Sequence, residues 1–132
     1  MRMSQLTFND LNLHDSSVLR LLLSLDLSGN ESFEILLDYI DSYETLSTSL
    51  KSITFTDCRE VRIEGRLGYV RGNSVLSGEV IEHSNLLAET RSRWEQLGVR
   101  GAWKHFRLLT NTGTKIDVVA GGFEFEDAGE LQ

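Results

Sequence analysis

The sequence predicts an α+β fold: a mainly antiparallel sheet of about five to seven strands with one principal helix at about residues 84–97. Three observations carry that expectation. Apolar residues recur at every second position in the first third and last quarter of the chain. One segment near residue 90 switches to spacings of three and four, and turn-forming residues separate the runs. Runs of strand with a single helix suit a sheet packed on one side.

The first strand begins at Val18. Leu19, Leu21, Leu23, Leu25 and Leu27 point one way, and Arg20, Ser24 and Asp26 the other. Turn chemistry follows in SGNES, residues 28–32, after which Phe33, Ile35, Leu37 and Tyr39 alternate again, so the two runs predict a hairpin. DSYETLSTSL, residues 41–50, is polar and reads as a loop or one helical turn. SITFTDC, residues 52–58, is rich in β-formers. REVRIEGRLGYVRG alternates charge with Val61, Ile63, Leu67 and Tyr69, predicting one or two strands with Gly65 and Gly68 at bends. Strand character continues in NSVLSGEVIEHS through Val80 to Glu82.

SNLLAETRSRWEQLG predicts the helix. Ser84 caps it, Gly98 ends it, Leu87, Thr90, Trp94 and Leu97 share a face, and Glu89 stands four residues before Arg93. A second hairpin closes the chain. Asn111 to Gly113 make its turn, Phe106 and Leu108 oppose Ile116 and Val118, and Gly121-Gly122 allows a bend before Phe123 and Phe125. The EDAGELQ tail is expected to fray. Leu22, Leu36, Ile40 and Leu109 fall off the dominant apolar face, which hints at a second packed layer, a curled sheet or a partner.

A chain of 132 residues matches one domain, spanning 1–132. No apolar run reaches the length of a membrane helix, and MRMSQLTFND lacks the apolar core of a signal peptide. A lone cysteine, Cys58, makes no internal disulfide, so a cytoplasmic location is the expectation. The net charge of −7 is uneven: −6 over residues 1–50, +3 over 51–107 and −4 over 108–132. Phosphate backbones repel such a chain, which disfavours nucleic acid and suits a basic protein partner.

Chemistry-bearing motifs are sparse. His14 and Asp15 are neighbours, and neighbours on a strand face opposite ways, so the pair suits a turn rather than a catalytic dyad. Cys58 would need His83 or His105 brought to it, and reads as a small buried hydrophobe. The histidines have no metal-ligand spacing, and no phosphate-binding glycine loop occurs, so neither metal nor cofactor is expected. Glu34 with Asp38, and Glu124 with Glu126, sit at even spacing, as on a solvated strand face. Arg59, Arg62, Arg66 and Arg71 interleave with Glu60 and Glu64, which suits cross-strand ion pairs. Trp94 and Trp103 are of the type found at interfaces and equally as core anchors.

The L-H-D-S-x-V opening, Leu13 to Val18, and the later ITFTDCREV resemble small uncharacterised bacterial proteins, some grouped with immunity proteins of polymorphic toxin systems. The resemblance covers two short segments. It implies a single-domain, cofactor-free protein that binds and neutralises a cognate toxin, and it brings no catalytic residues. The sequence thus predicts a non-enzymatic protein-binding domain meeting a basic partner through Asp26, Glu34, Asp38, Asp41 and Trp103. Two alternatives stand beside it. One is a small-ligand or enzymatic domain with a pocket between sheet and helix, using His14 or His105 with a nearby carboxylate. The other is a homo-oligomeric module that pairs its sheets.

Overall fold

The structure, a computed structural model, describes residues 7–25, 31–65 and 74–129. It is α+β, as predicted: one six-stranded antiparallel sheet and one main helix. The strands are β1 (Ser17–Ser24), β2 (Ser32–Ser42), β3 (Ser47–Glu64), β4 (Val75–Val80), β5 (Lys104–Thr110) and β6 (Lys115–Asp127), with helix α1 (Asn85–Gln96) between β4 and β5. They lie in the order β1-β2-β3-β6-β5-β4. The two terminal strands meet again at one end. Val75 N–H donates to the Ser16 carbonyl, Asp15 N–H donates to the Val75 carbonyl, and Ser17 bridges Ser74. The sheet is therefore curled with one face inside.

That inner face is the core. Phe33, Ile35 and Leu37 of β2 oppose Phe55, Ile53 and Lys51 of β3, and Phe106 and Leu108 of β5 oppose Val118 and Ile116 of β6, the last being the opposition predicted for the closing hairpin. A short 3-10 turn, Phe8–Asp10, plugs the bowl, which the sequence did not announce. Its Phe8 ring lies 5.1 Å from Phe106 and 5.3 Å from Phe123, both edge-on, an arrangement that favours aromatic packing beyond area alone. The residues after this turn run to His14 and Asp15, which form a second turn with Asp15 at φ 66°, tolerable for an aspartate.

Three elements depart from the sequence reading. Residues 41–50 are no loop: β2 runs to Ser42, β3 starts at Ser47, and only Tyr43 to Leu46 turn. Serine and threonine hid the alternation there. The five-leucine face of β1 is interrupted by a register shift between Val18 and Arg20. Val18 and Leu21 pack on the core, but Leu19 and Leu23 are exposed and Leu25, just past the strand, is 77% exposed. The stretch 59–64 continues β3 as one strand, bent at Asp57 (φ 51°) and ending at Gly65 (φ 121°). Asp26, Leu27, Arg66, Leu67, Gly68, Tyr69 and Arg71 lie outside the described residues.

The helix covers part of the outer sheet face. Ser84 caps it by accepting from Leu87 N–H at 2.9 Å, and Gly98 follows its end at φ 82°, as the spacing predicts. Thr90 is fully buried beneath it, with a hydroxyl that has no hydrogen-bond partner. Leu97, expected on the same face, is instead 70% exposed. Arg93 reaches across to Glu60 of β3 at 3.2 Å. Between helix and sheet the Arg59 guanidinium stacks over Trp94 and Trp103, 4.7 and 5.4 Å from the ring centroids, and is anchored by Asp57. No helix among the described residues is long and apolar enough to cross a membrane.

Candidate functional site: an uncovered acidic sheet face and a buried histidine chain

Among the described residues α1 packs mainly on β5 and β6 and reaches Arg59 and Glu60 of β3, away from the outer rows formed by β1, β2, the first half of β3 and the second half of β6. Registers place its side chains in rows. Leu22, Glu34, Thr54 and Glu124 form one row across four strands, and Arg20, Leu36, Ser52 and Glu126 the next. Asp38 stands opposite Ser17 and Leu50 one step further. Among the described residues, four carboxylates, Glu34, Asp38, Glu124 and Glu126, thus share this face with one guanidinium, Arg20, which pairs with Glu34 at 3.2 Å. The face has an apolar centre. Leu36 is buried on it, Ile40 is half-buried, and Leu22 is 45% exposed. Like charges crowded on one sheet face repel one another, a cost that a cationic partner relieves.

The sequence-predicted residues divide accordingly. Glu34 and Asp38 are on this face; Asp41 is exposed near the end of β2 and accepts from the Ser49 hydroxyl at 3.0 Å. Asp26 lies outside the described residues. Trp103 offers no surface. It is 2% exposed, and its indole N–H donates to Asp57 at 2.9 Å. The large ring fills the space beside the helix, where burying it gains more than presenting it. Glu124 and Glu126, noted in the sequence only for their spacing, are joined to Glu34 by the strand register.

The histidines do not share one environment. His14 is exposed, its Nδ1 3.1 Å from the Leu76 carbonyl and its ring 3.5 Å from Asp15, in the turn that ties β1 to β4. His83 is exposed before the helix. His105, on β5, is 3% exposed and stands in a chain. Its Nδ1 lies 2.6 Å from Ser84 Oγ and its Nε2 lies 2.6 Å from Asp117 Oδ1, which also accepts from Arg107 Nε at 2.7 Å. Burial by itself raises the Asp117 carboxyl, but the hydrogen bonds and charges of Arg107 and His105 outweigh it and hold that carboxyl below its ordinary value. Beside the chain runs a groove of about 410 Å³, walled by Val80, Ile81, Glu82, Leu87, Lys104 and His105.

Cys58 is apart from all three histidines' hydrogen bonds. It is 6% exposed in the core, its thiol is pushed up to about 11 by burial, and it donates weakly to the Glu60 carbonyl at 4.0 Å. A thiol in that state is no nucleophile at neutral pH. Among the described residues no group of three His, Cys, Asp or Glu side chains is placed to hold a metal ion. Comparison of the chain with protein-family models, with curated proteins and with solved structures finds no match.

Proposed function

We propose that this chain is a protein-binding domain that receives a basic partner on the acidic outer face of β1, β2, β3 and β6, in the manner of an immunity-type inhibitor of a bacterial toxin. One observation carries the reading: four carboxylates and one guanidinium surround an apolar centre on a sheet face that the helix leaves open. The exposed Leu22 and the half-buried Ile40, beside the buried Leu36, provide apolar area for desolvation, and the carboxylates provide steering and partner choice. The resemblance of the L-H-D-S-x-V opening to immunity-type proteins points the same way. Affinity capture with the tagged protein, from lysate of its source organism, tests the reading. A single basic protein recovered in near-stoichiometric amount supports it; self-association alone, or nothing, counts against it.

A further inference from the structure

We propose that Ser84, His105 and Asp117 form an acyl-transfer site that hydrolyses esters of short acyl groups. The proposal is independent of the acidic face, since the site lies at the opposite, helix-covered half of the sheet.

The direction of each hydrogen bond supports it. Ser84 Oγ already accepts from Leu87 N–H at 2.9 Å, so its own proton is free to go to His105 Nδ1, 2.6 Å away. The hydrogen-bond pattern then assigns the ring proton to Nε2, which donates to the Asp117 carboxylate at 2.6 Å. A serine hydroxyl, a base within reach of its proton, and a carboxylate that orients the base and steadies its positive charge are the parts of an activated nucleophile. Capping the helix requires only the bond from Leu87. The base on the other side of the oxygen is the additional feature.

Two further observations supply what the nucleophile needs. Helix α1 begins at Asn85, and Ala88 N–H is the first to bond back to the Ser84 carbonyl. The N–H groups of Asn85 and Leu86 come directly after the nucleophile and have no partner within the helix, which suits them to a developing oxyanion. Next to His105 runs a groove that also takes in Glu82 and Leu87, near Ser84 in sequence; Val80, Ile81 and Leu87 make part of its wall apolar, and Thr7, Asn9 and Lys104 make part of it polar. Its 410 Å³ suits a short acyl chain.

The reaction closes without any group beyond water. Ser84 Oγ bonds to the ester carbonyl carbon as its proton passes to His105 Nδ1, and the carbonyl oxygen becomes the oxyanion. Collapse breaks the carbon–alkoxide bond, and the alcohol leaves with the proton from His105. Water then attacks the acyl-serine, gives its proton to His105, and releases the carboxylic acid while Oγ regains its hydrogen.

The test is labelling with a fluorophosphonate probe, read by peptide mass spectrometry, alongside hydrolysis of p-nitrophenyl butyrate. The account predicts one adduct, on Ser84, and turnover that falls by about a hundredfold or more in Ser84→Asn and in His105→Gln. Asparagine caps a helix as serine does, so Ser84→Asn keeps its melting temperature while losing the nucleophile. Absence of an adduct on Ser84 in the wild-type protein overturns the proposal. So does turnover that survives in a folded Ser84→Asn, or a Ser84 adduct that forms as fast in His105→Gln.

Discussion

Gly121 of β6 packs against Asp57 of β3, so closely that a Cβ on the glycine would stand 3.1 Å from the aspartate Cβ. β3 turns left-handed at Asp57, whose carboxylate takes the Trp103 indole and the Arg59 guanidinium. The glycine thus leaves room for the aspartate side chain, which ties the bend of β3 to the tryptophan beside the helix. Gly121→Ala requires its neighbour to give by a few tenths of an ångström, and Gly121→Val requires more. We expect losses of about 1–3 kcal/mol, larger for valine, with a shift in tryptophan fluorescence as Trp103 loses its partner. Urea unfolding of the two variants checks both the size and the order.

Thr90 offers a change of the opposite sign. Its hydroxyl is buried under α1 with no partner, so it bears the cost of desolvation without a compensating bond. Thr90→Val keeps the shape and removes that oxygen. The variant should be more stable by about 1 kcal/mol, visible as a raised melting temperature. A lower one would show that the hydroxyl is satisfied in solution.

The Asp117 carboxyl gives the molecule an acid-sensitive joint. Its folded-state pKa is held below the ordinary 3.8, so its contribution is fully present above that value and is lost as pH falls through the folded pKa. Asp117→Asn leaves the half-buried Arg107 without its counter-charge and the buried His105 Nε2 without its carboxylate acceptor, at a cost of about 3 kcal/mol. It also removes that group's share of the fall in stability below pH 3.8. Unfolding free energies measured from pH 3 to pH 7 distinguish the two effects.

Cys58 should resist modification. Burial and a pKa of about 11 leave almost no accessible thiolate at pH 7.5, so a thiol reagent should react only as fast as the chain opens. Denatured protein should react at once. Rapid labelling of the native form would place the thiol outside the core.

Much of this architecture was legible. Alternating apolar residues gave both the hairpin of β1 with β2 and the pairing of Phe106 with Val118 in the last hairpin, because one buried face fixes register. The helix was legible from a capping serine and a terminal glycine. A bulge was not, so alternation puts all five leucines on one face of β1, although the register shift leaves Val18 and Leu21 on the core and Leu19 and Leu23 exposed. Strand continuity through Ser47, Thr48 and Ser49 was hidden because short polar side chains serve strand and loop alike. Of the acidic face, Glu34 and Asp38 could be named from alternation, but joining them to Glu124 and Glu126 required knowing that β6 lies beside β3. The pairing of His105 with Asp117 was implicit in the last hairpin, whose outward positions these are. Ser84, arriving from a separate element, was not.

The most direct test of the binding account reverses charge on the open face. Glu34→Lys with Glu124→Lys changes two carboxylates of one row, and Glu89→Lys on the exposed side of α1 serves as the control. Capture of the basic partner is then compared quantitatively between wild type, control and double variant, each shown to be folded by its melting curve. The account predicts capture equal in wild type and control and weaker by about tenfold or more in the double variant. Equal capture by all three would contradict it.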